Sequence, residues 1–391
     1  MADFRFDILR RRKMNKERKM KISYKEFLEK VTEKLSWVAD EVDFMYPYTT
    51  REGKYENGKN HPFSWTSGFY GGILWYMYLH TKNEKYLKLA KECSQRLEQG
   101  LTGFNFLSHD VGFQFLLTNV ADYIITGDEE ARKRGLHAAA LLAGRYNTTG
   151  KYIRAWNENP GIDPSQSKAG YVIIDCMMNI PLLYWASDVT GDPRYKQIAN
   201  LHADTAAEHF IREDGSVNHI VVFDPNTGEV VDKPEGQGYA KGSSWTRGQT
   251  WAIYGFAMAY HYTKNEKYLE VAKKVARYFM ANVKDYMPID FAQPTEPKYE
   301  DSSAAAICAC GLLEIMKYVT GEEKDFYKES TDKMLEMLYK NCDFTHNDEA
   351  ILQNCSEMYH REESRHVSLI YGDFYLLEAL IRLNGGEILF Y

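Results

Sequence analysis

The chain has 391 residues, 44% of them hydrophobic and 14% aromatic, with 55 acidic against 48 basic side chains. That composition suits a chain with a large core and excludes an intrinsically disordered one. No apolar run reaches the roughly 18–20 residues that cross a bilayer, and the basic start leads into no apolar signal core, so a cytoplasmic protein is expected, with no membrane partner.

Residues 1–22 hold nine Lys or Arg against three acids; with a chain total of −7, the remainder carries −13. A body that acidic repels nucleic acid, and the basic stretch is short and unpatterned. It reads as a flexible leader ahead of one domain over 23–391. The first helix expected is amphipathic, YKEFLEKVTEKLSWVAD at about 24–40. An apolar helix follows at 66–80, TSGFYGGILWYMYLH, and then a phrase that recurs.

The phrase is TKNEKYLKLA at Thr81, TGDEEARKRG at Thr126, TGDPRYKQIA at Thr190, TKNEKYLEVA at Thr263 and TGEEKDFYKE at Thr320. Each is a Thr-led turn opening a charged amphipathic helix, and the Asn or Asp at the third position, present in the first four copies, is suited to capping it. Apolar helices precede the later copies too, at about 110–125, 171–189, 245–262 and 301–319, and a sixth closes the chain at 368–383. The spacing is too irregular for a fixed-period solenoid. Six apolar helices alternating with six amphipathic ones predict an all-α fold, the (α/α)6 toroid or six-hairpin barrel, with an inner ring of parallel helices inside an outer ring. The insertion at 213–244 contains HIVVFDPNTGEVVD, alternating apolar positions about a PNTG turn, and predicts a β-hairpin covering one end.

Parallel inner helices bring their N-termini, and the positive ends of their dipoles, to that one end, where an anionic ligand is favoured. Trp65, His109, Asp110, Asp175, Trp245, Arg247, Gln249, Trp251 and Asp301 sit at or near those starts, and the loops add Trp156, His219 and Gln237. Asp301 has the position of a helix cap, and Asp110 that of a cap as much as of a reactive acid. Asp175 stands alone in YVIIDCMMNIPLLYWA, where burial favours the protonated form that a general acid needs. Trp65, Trp156, Trp245 and Trp251 offer flat faces for sugar rings, whereas Trp75 and Trp185 read as core. Arg247 between two of them suits a carboxylate- or sulfate-bearing sugar, or else a salt bridge within the barrel. The six cysteines form no C-x-x-C pair and read as buried hydrophobes of a reduced compartment. No metal motif, phosphate loop or nucleophile elbow occurs, so no metal or cofactor is expected and the chemistry falls to carboxylates.

WTSGFYGGILW (65–75), HDVGF (109–113), IIDCMMNIPLLYWA (173–186), GSSWTRGQTWAIYGF (242–256) and YGDFYLLEAL (371–380) together resemble the unsaturated glucuronyl hydrolases, glycoside hydrolase family 88. The resemblance implies the (α/α)6 fold and removal of the 4,5-unsaturated uronic acid from the non-reducing end of glycosaminoglycan oligosaccharides left by polysaccharide lyases. It implies that Asp175 is the general acid/base and Asp110 the second essential carboxylate. Trp65, His109, Trp156, His219, Gln237, Trp245, Arg247 and Trp251 would then contact the sugar, with Tyr359 supplied by EMYHREE. Ser108 stands where members can have a second His. The neighbouring expectation is an unsaturated rhamnogalacturonyl hydrolase acting on pectin fragments, against which SWTRGQTW and HDVGF argue.

Overall fold

The computed structural model describes residues 22–42, 46–56, 62–103, 107–158, 163 and 167–390. All but the last residue of the expected leader lies outside them. Six amphipathic helices form the outer ring: Tyr24–Glu41, Glu84–Arg96, Glu129–Ala143, Pro193–His209, Glu266–Asn282 and Gly321–Lys340. On the fifth, Tyr268, Leu269, Ala272, Val275, Ala276, Phe279 and Met280 make a buried stripe at helical spacing, and the charged residues point outward. The inner ring is Phe69–Thr81, the stretch 111–126, the stretch 174–190, Thr246–Thr263, Ser302–Met316 and Ile370–Leu383. These are buried on nearly every side, as helices short of charge must be. Gly311 allows two of them to approach closely: a Cβ there would lie 3.1 Å from the backbone nitrogen of Tyr254 on the adjacent inner helix. The ring closes where Phe374 on the last inner helix packs on Phe69 of the first, ring centroids 5.4 Å apart.

The recurring phrase is a corner between the rings. Thr81, Thr190 and Thr263 each donate their hydroxyl to the carbonyl four residues back, at 2.5–2.6 Å, as the inner helix ends. The same oxygen then accepts the backbone N–H of Asn83, Asp192 or Asn265. Those side chains in turn cap the next helix, as does Asp128. The residue between them takes a positive φ in every copy, whether Lys82, Gly127, Gly191 or Lys264. The fifth copy keeps the positive φ, at Gly321, but not the cap: Thr320 is itself the N-cap residue and makes no side-chain capping bond.

One expectation is corrected and one is extended. The third apolar segment is not helical from 171: Tyr171–Ile173 is a β-strand, Ile174–Met178 a 3-10 turn, and the α-helix begins at Pro181. Proline has no N–H and its ring clashes with the preceding turn, so it is tolerated at the first helical position and not inside. The predicted hairpin exists, Ile220–Phe223 against Val230–Asp232, but it is not free-standing. Its first strand also pairs antiparallel with Tyr171–Ile173, which joins the insertion to the start of the third inner segment. Among the described residues, no helix is long and apolar enough to cross a membrane.

Candidate active site

The strand that ends at Ile173 delivers Asp175 to the open end on the 3-10 turn. The amide of Ile174 donates to the carbonyl of His219 at 3.1 Å, so the hairpin insertion fixes this turn. Asn179 holds it from the other side, its Nδ2 donating to the Asp175 carbonyl at 3.1 Å and its Oδ1 accepting the Phe113 amide at 2.8 Å. One side chain thereby ties the acid's turn to the first turn of the second inner helix, where Asp110 lies. Asn179 was not foreseen as a site residue; the signal was a polar side chain four residues after Asp175 in an apolar string.

The Asp175 side chain is mostly buried, and its Oδ1 has no hydrogen-bond partner. Burial, reinforced by the charge of Asp110 and opposed by Arg247, pushes its pKa up to about 7. His219 Nε2 lies 3.7 Å from that oxygen. Its Nδ1 accepts the Gln237 amide at 3.0 Å, so the neutral ring carries its hydrogen on Nε2, facing Asp175. The ring is neutral because burial, with Arg247 nearby, lowers its pKa to about 3. Gly236 (φ +61°) permits the loop to come this close, since a Cβ there would stand 2.1 Å from His219 Nδ1.

Asp110 is not a cap: it makes no capping bond to the helix it precedes. Its carboxylate accepts the Ser108 hydroxyl at 2.7 Å and has His109 Nε2 at 3.2 Å. Asp301 is not a cap either. It pairs with Arg247, both side chains at 2% exposure or less, while the guanidinium also donates to the carbonyls of Ser356 and Glu357 at 2.6 Å. The salt-bridge reading of Arg247 therefore holds, and what this residue projects onto Asp175 is its field.

The aromatic residues divide. Trp65, half-buried, leans on Phe113 and Tyr371 with ring centroids 5.6 and 4.9 Å away, and Trp156 packs against Tyr171 at 5.7 Å. Trp245 lies against His219 at 4.3 Å. Trp251 is fully enclosed, next to Phe113 and Tyr375, and His109 is equally enclosed; both stand behind the cleft surface instead of on it. Gln237 and Tyr359 come together: the Tyr359 amide donates to the Gln237 carbonyl at 3.0 Å, and Gln237 Nε2 donates to the Glu357 carbonyl at 2.7 Å. Gln249 faces inward and bonds Ser244 and the Gly215 carbonyl. Among the described residues no three His, Cys, Asp or Glu side chains gather as a metal site, and the six cysteines are unpaired.

Gly112 sets the separation of the two acid-bearing turns. A Cβ there would fall 2.4 Å from the Asn179 Cα and 2.7 Å from its carbonyl oxygen, which is backbone that cannot yield. Gly112→Ala is expected to cost about 1–3 kcal/mol by overpacking. It should also lower kcat by at least about tenfold, because misplacing a reacting group by about 1 Å is that costly. Urea unfolding and steady-state turnover check both effects.

A double ring of helices, with a proton-holding carboxyl and a second acid among tryptophans at its open end, defines a glycoside hydrolase of the helical-barrel class. The chain belongs to Glycosyl Hydrolase Family 88, whose model matches residues 37–379. It is 39% identical over 336 residues to the unsaturated glucuronyl hydrolase of Bacillus sp. (strain GL1), covering 82% of this chain and 86% of the relative. It is 35% identical to the unsaturated chondroitin disaccharide hydrolase of Streptococcus pneumoniae, covering 81% of each. Among solved structures, the unsaturated glucuronyl hydrolase of Streptococcus agalactiae superposes with a TM-score of 0.88 at 30% identity, over 96% of both chains.

Proposed function

We propose that the protein removes the 4,5-unsaturated uronic acid from the non-reducing end of glycosaminoglycan di- or oligosaccharides made by polysaccharide lyases, and that it does so in the cytoplasm. The observation that carries the reading is Asp175, an acid held at a pKa of about 7 with an unpartnered oxygen beside Asp110. A variant of the Streptococcus agalactiae enzyme has been solved with the unsaturated disaccharide dGlcA-GalNAc6S, which supports a substrate of this class.

The reactive group is the enol ether of the unsaturated sugar. Protonated Asp175 delivers its proton to carbon 4, and positive charge builds at carbon 5, shared with the ring oxygen. The carboxylate just formed, with Asp110 beside it, takes a proton from the water that attacks carbon 5, so Asp175 ends the step protonated again. The net addition is one water across the double bond. The hemiketal produced opens unaided and expels the remaining glycan as an alcohol. Transferring a proton to carbon is difficult, and an acid whose pKa lies near the working pH serves it best. Nothing attacks carbon 1, so the separation of the two carboxyls does not predict a stereochemical outcome.

Sulfated and unsulfated unsaturated disaccharides of chondroitin and heparin are the test, followed by the ultraviolet absorbance of the conjugated double bond. Loss of absorbance supports the reading, and the order of rates fixes the preferred sugar. No loss on any of them, with turnover of unsaturated pectin fragments, would transfer the activity to the rhamnogalacturonyl class.

A further inference from the structure

A cavity of about 470 Å³ lies between the end of the third outer helix, Glu129–Ala143, and the connection that leads to Asp110. That is room for a sugar unit, within the roughly 300–1,000 Å³ of small-molecule sites. Leu107 and Leu141 give it an apolar side, Ser108 and Asn157 a polar one, and its charged residues are Arg145 and Arg154. Arg145 is built into the wall. Its guanidinium donates to the carbonyls of Leu107, Arg154 and Ala155 and to Asn157 Oδ1, at 2.5–3.3 Å, and all four acceptors are neutral oxygens. The half-buried Arg154 side chain makes no hydrogen bond, and among the described residues neither arginine is in a salt bridge. Burial and the charge of Arg154 push the Arg145 pKa down to about 10, against the pull of Asp110. Two cations on one cavity, in an otherwise acidic body, leave a positive field that an anion would neutralise. The cavity adjoins the site through Ser108, whose hydroxyl donates to Asp110, and through Asn157, next to Trp156 in the chain.

We propose that this cavity is a subsite for the glycan beyond the uronate that is released, and that Arg154, beside the fixed Arg145, binds a carboxylate or sulfate of that glycan. It rests on the hydrolase reading, which supplies a chain of this charge. The leaving sugar of an unsulfated chondroitin disaccharide is uncharged. A tetrasaccharide continues from it into a second uronate, and a sulfated disaccharide carries a sulfate on it, so either adds the anion that the two arginines lack. A guanidinium with no other bond to break turns its planar fork to a carboxylate or sulfate at little cost.

The experiment measures KM for the unsulfated unsaturated disaccharide, its sulfated forms and the unsulfated tetrasaccharide, with Arg154→Gln, Arg154→Lys and Lys151→Gln beside the wild type. Lys151 is exposed on the preceding turn, so its loss removes the same charge from outside the cavity. Arg154→Gln should raise KM for the tetrasaccharide or a sulfated disaccharide about tenfold more than for the unsulfated disaccharide, the effect of a charge-assisted hydrogen bond. Arg154→Lys should recover part of that, and Lys151→Gln should show none. A tenfold effect confined to the tetrasaccharide assigns the cavity to the second uronate, and one confined to a sulfated disaccharide assigns it to the sulfate. Ratios that move no further in Arg154→Gln than in Lys151→Gln overturn the proposal. Should no substrate be turned over, calorimetry with saturated, sulfated chondroitin tetrasaccharide decides: binding about tenfold weaker in Arg154→Gln than in Lys151→Gln sustains the subsite, and equal binding ends it. That readout needs no turnover, so it separates failure of the subsite from failure of the proposed reaction.

Discussion

Asp175→Asn is expected to abolish turnover, by at least about a thousandfold, and to make the folded protein more stable at pH 8. The first effect follows from removing the proton donor, since general acid–base groups contribute about a hundredfold to ten-thousandfold and here one group serves both half-steps. The second follows from linkage. The folded-state pKa of about 7 lies above the ordinary value of 3.8, so the folded state binds this proton more tightly than the unfolded chain. The contribution to stability is full below about pH 4, declines as the pH rises through 7, and is gone above it. At pH 8 the wild type holds a buried, unpaired charge that asparagine lacks, at a cost of up to about 4 kcal/mol for three pKa units. Melting curves between about pH 3.5 and pH 8 measure this: the two proteins should nearly coincide at the acid end and separate progressively toward pH 8, the variant melting higher. In the wild type, activity should fall on the alkaline side with a midpoint near 7. Retained turnover in the variant would remove Asp175 from the mechanism.

Arg247→Met is the second large effect, and it acts on stability and pH dependence together. Arg247 and Asp301 are both buried, and breaking such a pair from one side costs about 3–5 kcal/mol because the other charge is left alone. The same guanidinium holds the carbonyls of Ser356 and Glu357, and the Glu357 carbonyl also receives Gln237 Nε2. The wall carrying Gln237 and Tyr359 should therefore loosen and KM should rise. Arg247 also lowers the Asp175 pKa, so its loss should move the alkaline limb to higher pH. Adding Asp301→Leu should recover much of the stability and leave the pH shift in place. Chemical denaturation and pH–rate profiles of the single and double variants check each part. A single variant as stable as the wild type would show that the pair is not what holds the fifth inner helix to the fourth.

The fold was legible in the sequence because its signal is local and repeated. The threonine corner, its Asn or Asp cap and the switch from an apolar helix to an amphipathic one lie within about a dozen residues. The start of the third inner segment was not legible, since YVIIDCMM suits a strand or a buried helix equally, and the choice is made by pairing with Ile220–Phe223 almost fifty residues later. Asp175 could be singled out because a lone acid in an apolar string has few bland uses. The roles of Asp301 and Arg247 could not be, because position before a helix does not reveal which distant side chain a carboxylate will meet. The same holds for Trp251 and His109, whose depth behind the cleft is set by packing from several helices at once.

The corners make the two poles of the barrel unlike in their tolerance of change. At the corner pole, Lys82 and Asn83, Gly127 and Asp128, Gly191 and Asp192, or Lys264 and Asn265 are all that separate one helix from the next. At the other pole every connection is longer, and those connections carry the residues around Asp110, Asp175 and Gln237. Selectivity can thus be rewritten by exchanging loops at one pole while the corners keep the helices in register. Conversely, Gly127 and Gly191 face open space, which makes that pole the one where a fused partner or a solid support would leave substrate access undisturbed.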